Sequence, residues 1–158
     1  LYKGLNKIEY HTNIYIYMGE QLDIGALLSA LKNEDNETVL DLNHEKIDSL
    51  KNDMLTKLNL PEKTMCDFQK LLKDYRYIDE LPELNYGRYV RWIPLKNVTV
   101  AKLTSGGFVC DVKIDDGINI VCKNVMNRHF QFKMGDCLIF QKLSPQEQVL
   151  LSAMDYIN

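Results

Sequence analysis

The chain has 158 residues, 46% of them hydrophobic and 26% charged, with a formal net charge of −3. That balance excludes a disordered chain, and no apolar run approaches the roughly 20 residues needed to cross a bilayer. Four cysteines without a CxxC point to a reducing, intracellular setting and exclude both a disulfide scaffold and a zinc finger.

At the N-terminus, Ile14, Tyr15, Ile16 and Tyr17 form a β-branched and aromatic run that favours a strand, part of a loose hairpin. Leu22, Ile24, Leu27, Leu28 and Leu31 recur at helical spacing and predict a helix from Glu20 to Lys32. The acidic stretch Asn33 to Thr38 is expected to be a solvated loop. Ile47, Leu50, Met54, Leu55 and Leu58 make the stripe of a second helix, capped by Asp41 or Asn43. Met65, Phe68, Leu72 and Tyr75 line a third, with Pro61 at its first position. Tyr75 to Leu84 then reads as a link.

Strand signals dominate from Leu84 to Leu143. Gly87 to Ile93 is a strand ended by Pro94, which lacks a ladder donor. Val98 to Leu103 is a further short one. Phe108, Cys110, Val112 and Ile114 alternate with more polar residues, as do Ile118, Ile120 and Cys122. A three-residue loop, Asp115-Asp116-Gly117, pairs Ile114 with Ile118, Val112 with Ile120 and Cys110 with Cys122, so the apolar faces match. Phe130, Phe132 and Met134 continue the inward row, and Cys137 to Lys142 is the last strand. Ser144-Pro145-Gln146-Glu147 then starts a helix: Ser as N-cap, Pro at the first position and Glu three after the cap. The expected fold is α+β: an N-terminal helical part over 1–83, then a small antiparallel barrel with a C-terminal helix plugging its open end over 84–158.

Charge divides the same way. Residues 1–83 hold 10 Lys+Arg against 16 Asp+Glu, whereas residues 84–143 hold 9 against 4, a balance of +5. A cationic β half predicts a polyanionic partner, because Lys and Arg neutralise phosphates and aromatic rings stack on unpaired bases. The candidate nucleic-acid-binding residues are Arg88, Arg91, Trp92, Lys113, Lys123, Arg128 and Lys133. His129 and Gln131 accompany them on an outward face. The rival reading is a structural or adaptor protein that binds another protein, since Trp, Tyr and Arg also mark protein interfaces. Walker, dinucleotide-binding and nucleophile-elbow motifs are absent, so no catalytic residue, cofactor or metal is expected, and the chain reads as a non-enzyme.

The strand run of residues 84–143 resembles the SH3-like small barrels, which serve as nucleic-acid and peptide-binding modules. The wording of YGRYVRWI and of HFQFKMGDCLIFQKLSPQEQVLLSAMDYI is similar to that of uncharacterised proteins of large DNA viruses of eukaryotes. That likeness implies an intracellular protein of the viral factory or the virion, and no activity.

Overall fold

A computed structural model of the chain describes residues 23–96 and 98–157. The expected N-terminal strand and the start of the first helix lie outside the described residues. The protein is α+β. Its helices are α1 (Ile24–Lys32), α2 (His44–Thr56), α3 (Glu62–Leu71) and α4 (Pro145–Ile157). Its strands are β1 (Tyr75–Ile78), β2 (Tyr89–Pro94), β3 (Gly107–Ile114), β4 (Ile118–Lys123), β5 (His129–Lys133) and β6 (Cys137–Lys142). They fall into two compact units, Leu1–Ile47 with Ser144–Asn158, and Asp48–Leu143. The division expected between residues 83 and 84 therefore falls inside the second unit.

In the first unit α1 begins at Asp23, whose carboxylate accepts the Ala26 N–H at 3.1 Å. Its Leu27 and Ala30 are buried with Val39, Leu150 and Ala153. The stretch expected to be a solvated loop is a 3-10 helix, Glu34–Val39. Asn36, inside it, is buried because its amide donates to the Ala30 carbonyl at 3.0 Å and to Gln146 at 3.1 Å. Composition marks such a residue as polar; it does not show the partner 110 positions away. Asn43, not Asp41, caps α2, accepting the Lys46 N–H at 2.8 Å. The start of α4 follows the sequence reading. Ser144 Oγ accepts the Glu147 N–H at 3.1 Å, and the Glu147 carboxylate accepts the Ser144 N–H at 2.9 Å. Within the first unit Leu150 and Ala153 of α4 pack with Leu27 and Ala30 of α1 and Val39 of the 3-10 helix. Helical spacing gives α4 an apolar face without saying what covers it.

The second unit is built on one antiparallel sheet in the order β1-β6-β2-β3-β4-β5. The sheet is open, with β1 and β5 at its edges, so the expected barrel does not close. The segment read as a link supplies the reason. Tyr75-Arg76-Tyr77-Ile78 is β1 and takes the free side of β6, from Tyr75↔Lys142 to Ile78↔Ile139. One face of the sheet buries Tyr75, Ile93, Leu138 and Phe140 against Leu55, Phe68 and Leu72 of the helical segment. The other face gathers Ile78, Val90, Trp92, Val109, Ile120, Cys122 and Ile139. With both faces dry, β6 runs Leu138-Ile139-Phe140 without alternation. Each such side chain contributes about 1.5–3 kcal/mol as an upper figure, so both faces hold this strand in the core.

The β3–β4 hairpin keeps the expected pairs Ile114↔Ile118 and Val112↔Ile120 around its three-residue loop. Beyond Asp111 the register shifts, and Cys122 lies opposite Val109, not Cys110. Cys110 is the extra residue of a bulge and is exposed, while Val109 takes the inward place. The bulge also turns Phe108 outward, where its ring meets Tyr89 edge-on at 5.0 Å. Expected strand 98–103 is not one. Instead Thr104 serves the free side of β2: its N–H donates to the Trp92 carbonyl at 3.0 Å and its Oγ1 accepts the Trp92 N–H at 3.1 Å. Gly106 makes this approach possible, since a Cβ there would lie 2.3 Å from the Val90 oxygen.

Candidate functional site

Three of the seven nominated residues share one surface. On the outward side of β3–β5, Lys113, Asn119 and Lys133 lie side by side across the strands. Asp111, Val121 and Gln131 form the next row, and Phe108, Lys123 and His129 the row after the bulge. Four residues of β4 separate the two lysine rows, or about 13 Å; Lys113 and Lys133 stand about 10 Å apart across two strand spacings. Arg128 is exposed at the same end as Lys123, in a turn that Asn124 builds. The Asn124 side chain accepts the N–H groups of Met126 at 2.9 Å and Arg128 at 3.0 Å.

Two carboxylates temper this face. Asp111 points outward, with Oδ1 accepting the Val112 N–H at 2.8 Å. Asp116, at the hairpin tip, lies 3.2 Å from the Lys133 ammonium. That pair is solvent-exposed and weak. Elsewhere in the unit Lys96 is paired with Asp136 at 2.9 Å. The sequence balance of +5 therefore overstates the charge available at any one place.

The other three nominated residues are elsewhere. Trp92 is buried and stacks on Phe132 at 4.2 Å, a core contact that removes it as a base-stacking platform. Arg91 shares the helix-covered side with Tyr89 and Ile93, and its Nε donates to the Thr104 carbonyl at 2.8 Å. Alternation along β2 puts Arg88, half-buried, on the opposite side from Arg91. Phe108, which alternation had placed inward, is 44% exposed beside Lys123. The bulge that turns it out leaves no mark in the hydrophobic pattern.

The thiols of Cys122 and Cys137 and the imidazole of His44 are inert or engaged. Burial, with a smaller contribution from Cys110, pushes the Cys122 thiol up to about 12; burial and Asp136 push Cys137 up to about 11. Neither supplies thiolate at neutral pH. His44 Nδ1 is bonded to Asp155, and Nε2 lies 3.0 Å from the Gln148 side-chain oxygen, so this imidazole ties α2 to α4 within the first unit. Among the described residues, no group of His, Cys, Asp and Glu is placed to hold a metal ion.

A second surface carries the opposite sign. Asp53, Asp79, Glu80 and Glu83 line a cleft of about 540 Å³, with Lys57 its cation. Tyr77 lies in its wall, its hydroxyl pKa raised by burial and by Asp79, to which it donates at 3.3 Å. Glu83 is occupied in folding the chain here: its carboxylate accepts the N–H groups of Asp79 at 2.8 Å and Glu80 at 2.9 Å. Buried Arg76 and Gln141, neighbours across β1 and β6, donate to the Glu83 carbonyl at 3.2 and 3.1 Å. These groups fasten the Leu81–Glu83 turn.

Among the described residues, no helix is long and apolar enough to cross a membrane. Comparison of the chain with family models, with curated proteins and with solved structures found no match.

Proposed function

We propose that the protein is a non-catalytic binding module that takes single-stranded nucleic acid on the outward face of β3–β5. The observation that carries this reading is the convergence of Lys113, Lys123 and Lys133 on one side of a three-stranded meander. Arg128 extends the cationic track and the exposed Phe108 ring offers a stacking surface. The site set is thereby revised: Lys113, Lys123, Arg128 and Lys133 stay, Phe108, His129 and Gln131 join, and Arg88, Arg91 and Trp92 leave. The order β6-β2-β3-β4-β5, with a 3-10 turn at Met134–Asp136 between β5 and β6, supports an SH3-like small-barrel plan left open at one side. An intracellular setting, in a viral factory or a virion, goes with this reading.

The test is binding of a fluorescent ten-nucleotide oligothymidine across a salt series. Four cations on a single strand give a slope of log K against log salt of about −3. The triple variant K113E/K123E/K133E abolishes binding. Absence of binding by the native chain at low salt rejects the reading. A second reading, a structural or adaptor protein, is favoured by a different observation: among the described residues, no strand pairs with the outer side of β5.

A further inference from the structure

Among the described residues, β5 is the last strand of the sheet, paired with β4 on one side only. The turn hydrogen bond from Asn124 N–H to the Arg128 carbonyl, 2.9 Å, sets the parity of the ladder. Closely bonded pairs alternate along an antiparallel ladder, so Phe130 and Phe132 bond to Cys122 and Ile120. The main-chain groups of His129, Gln131 and Lys133 then point away from the sheet, and all three residues are exposed. Such a row of donors and acceptors is a template for another strand.

What flanks the row selects the occupant. On the outward side stand His129, Gln131 and Lys133, with Lys123 next to His129. On the other side Phe130 leaves 44% of its surface exposed. We infer that the β5 edge receives an extended segment of a partner protein as a seventh strand, its residues alternating acidic and apolar. The acidic side chains lie along His129 and Lys133, and the apolar ones along Phe130. A second copy of β5 fits badly: antiparallel pairing centred on Gln131 sets Lys133 against His129 and offers no opposite charge. The exposed Asp116–Lys133 pair is displaced at little cost by a partner carboxylate. Main-chain pairing supplies affinity in this mode, and the alternate side chains supply specificity.

The probe is a capped heptapeptide of alternating glutamate and valine, added to the full chain and followed by calorimetry and amide shifts. Binding is expected, with the largest shifts at His129, Gln131 and Lys133. Gln131→Pro removes a donor that β4 does not use and lowers affinity at least tenfold. Because a proline variant can lose its fold, a peptide N-methylated on alternate residues makes the same test on native protein and also binds at least tenfold more weakly. A lysine–valine peptide binds tenfold more weakly than the glutamate one. No binding of the glutamate peptide, equal affinity of the N-methylated peptide, or equal affinity of the lysine peptide each overturns the proposal. Oligothymidine binding that persists when the peptide fails leaves the nucleic-acid reading standing and removes only this one.

Discussion

The Lys51 ammonium donates to the Leu72 carbonyl at 2.8 Å, inside the second unit, and to the Tyr75 carbonyl at 3.0 Å. Lys51 is 3% exposed, yet the contact satisfies it: Leu72 is the C-cap of α3, where the free carbonyls and the negative end of the helix dipole attract a cation. The same three-residue step ends the helix and opens β1. Lys51→Met leaves the Tyr75 carbonyl without this donor, while the Leu72 carbonyl keeps the Tyr75 N–H at 3.0 Å, and costs about 1–3 kcal/mol, read as a lower urea midpoint at unchanged slope. A variant as stable as the native chain would show that water replaces the ammonium there.

Two glycines separate steric need from conformational need. Gly106 has φ +90° and a Cβ there meets the Val90 oxygen at 2.3 Å; Gly117 has φ +101° and open space. Gly117→Ala is expected to cost about 1 kcal/mol, the strain of the backbone alone, and Gly106→Ala about 3 kcal/mol or more. Equal losses in thermal unfolding would contradict the close approach.

Replacing Ser144 with Ala removes one half of the reciprocal cap on α4 and costs about 1 kcal/mol. Faster hydrogen exchange confined to the first turn of α4 is the expected signature.

Cys122 and Cys137 set an alkaline limit. The folded pKa values are raised, to about 12 and about 11, from an ordinary value of 9.0. Below pH 9 both states hold the protons and stability is indifferent to them. Above it the unfolded thiols ionise while the folded ones do not, so stability falls as pH rises from about 9 towards 11–12. Urea unfolding at pH 8, 9 and 10 checks the sign, and Cys122→Ala flattens the decline. In native protein at pH 8 a thiol reagent modifies the exposed Cys66 and Cys110, with Cys122 reacting only on unfolding.

Local rules were legible where the deciding chemistry is local. The Ser144–Glu147 cap and the Asp115–Gly117 loop depend on residues within a turn of one another, whereas in the α2 stripe Leu50 is exposed and Lys51 is buried in its place. What escaped depends on distant partners. Tyr75 extends the α3 spacing of Met65, Phe68 and Leu72, so periodicity carries the helix into β1; only the open side of β6 makes it a strand. Asn36 is buried by Gln146, Trp92 by Phe132, and the Cys110 bulge is dictated by how β3 must twist to reach β2. The lysines of the candidate face were legible as alternation within β3, β4 and β5; the places of Arg91 and Trp92 were not, because they depend on distant partners, Thr104 for Arg91 and Phe132 for Trp92.

The place of β6 between β1 and β2 has a consequence for synthesis. Those two earlier strands do not pair with each other: β2 can pair with β3 beforehand, but β1 and the other side of β2 wait for residues 137–142 to leave the ribosome. The first unit waits as well, for α4. Both cores therefore stay unfinished during synthesis until β6 and α4, the late elements of the described fold, have been made.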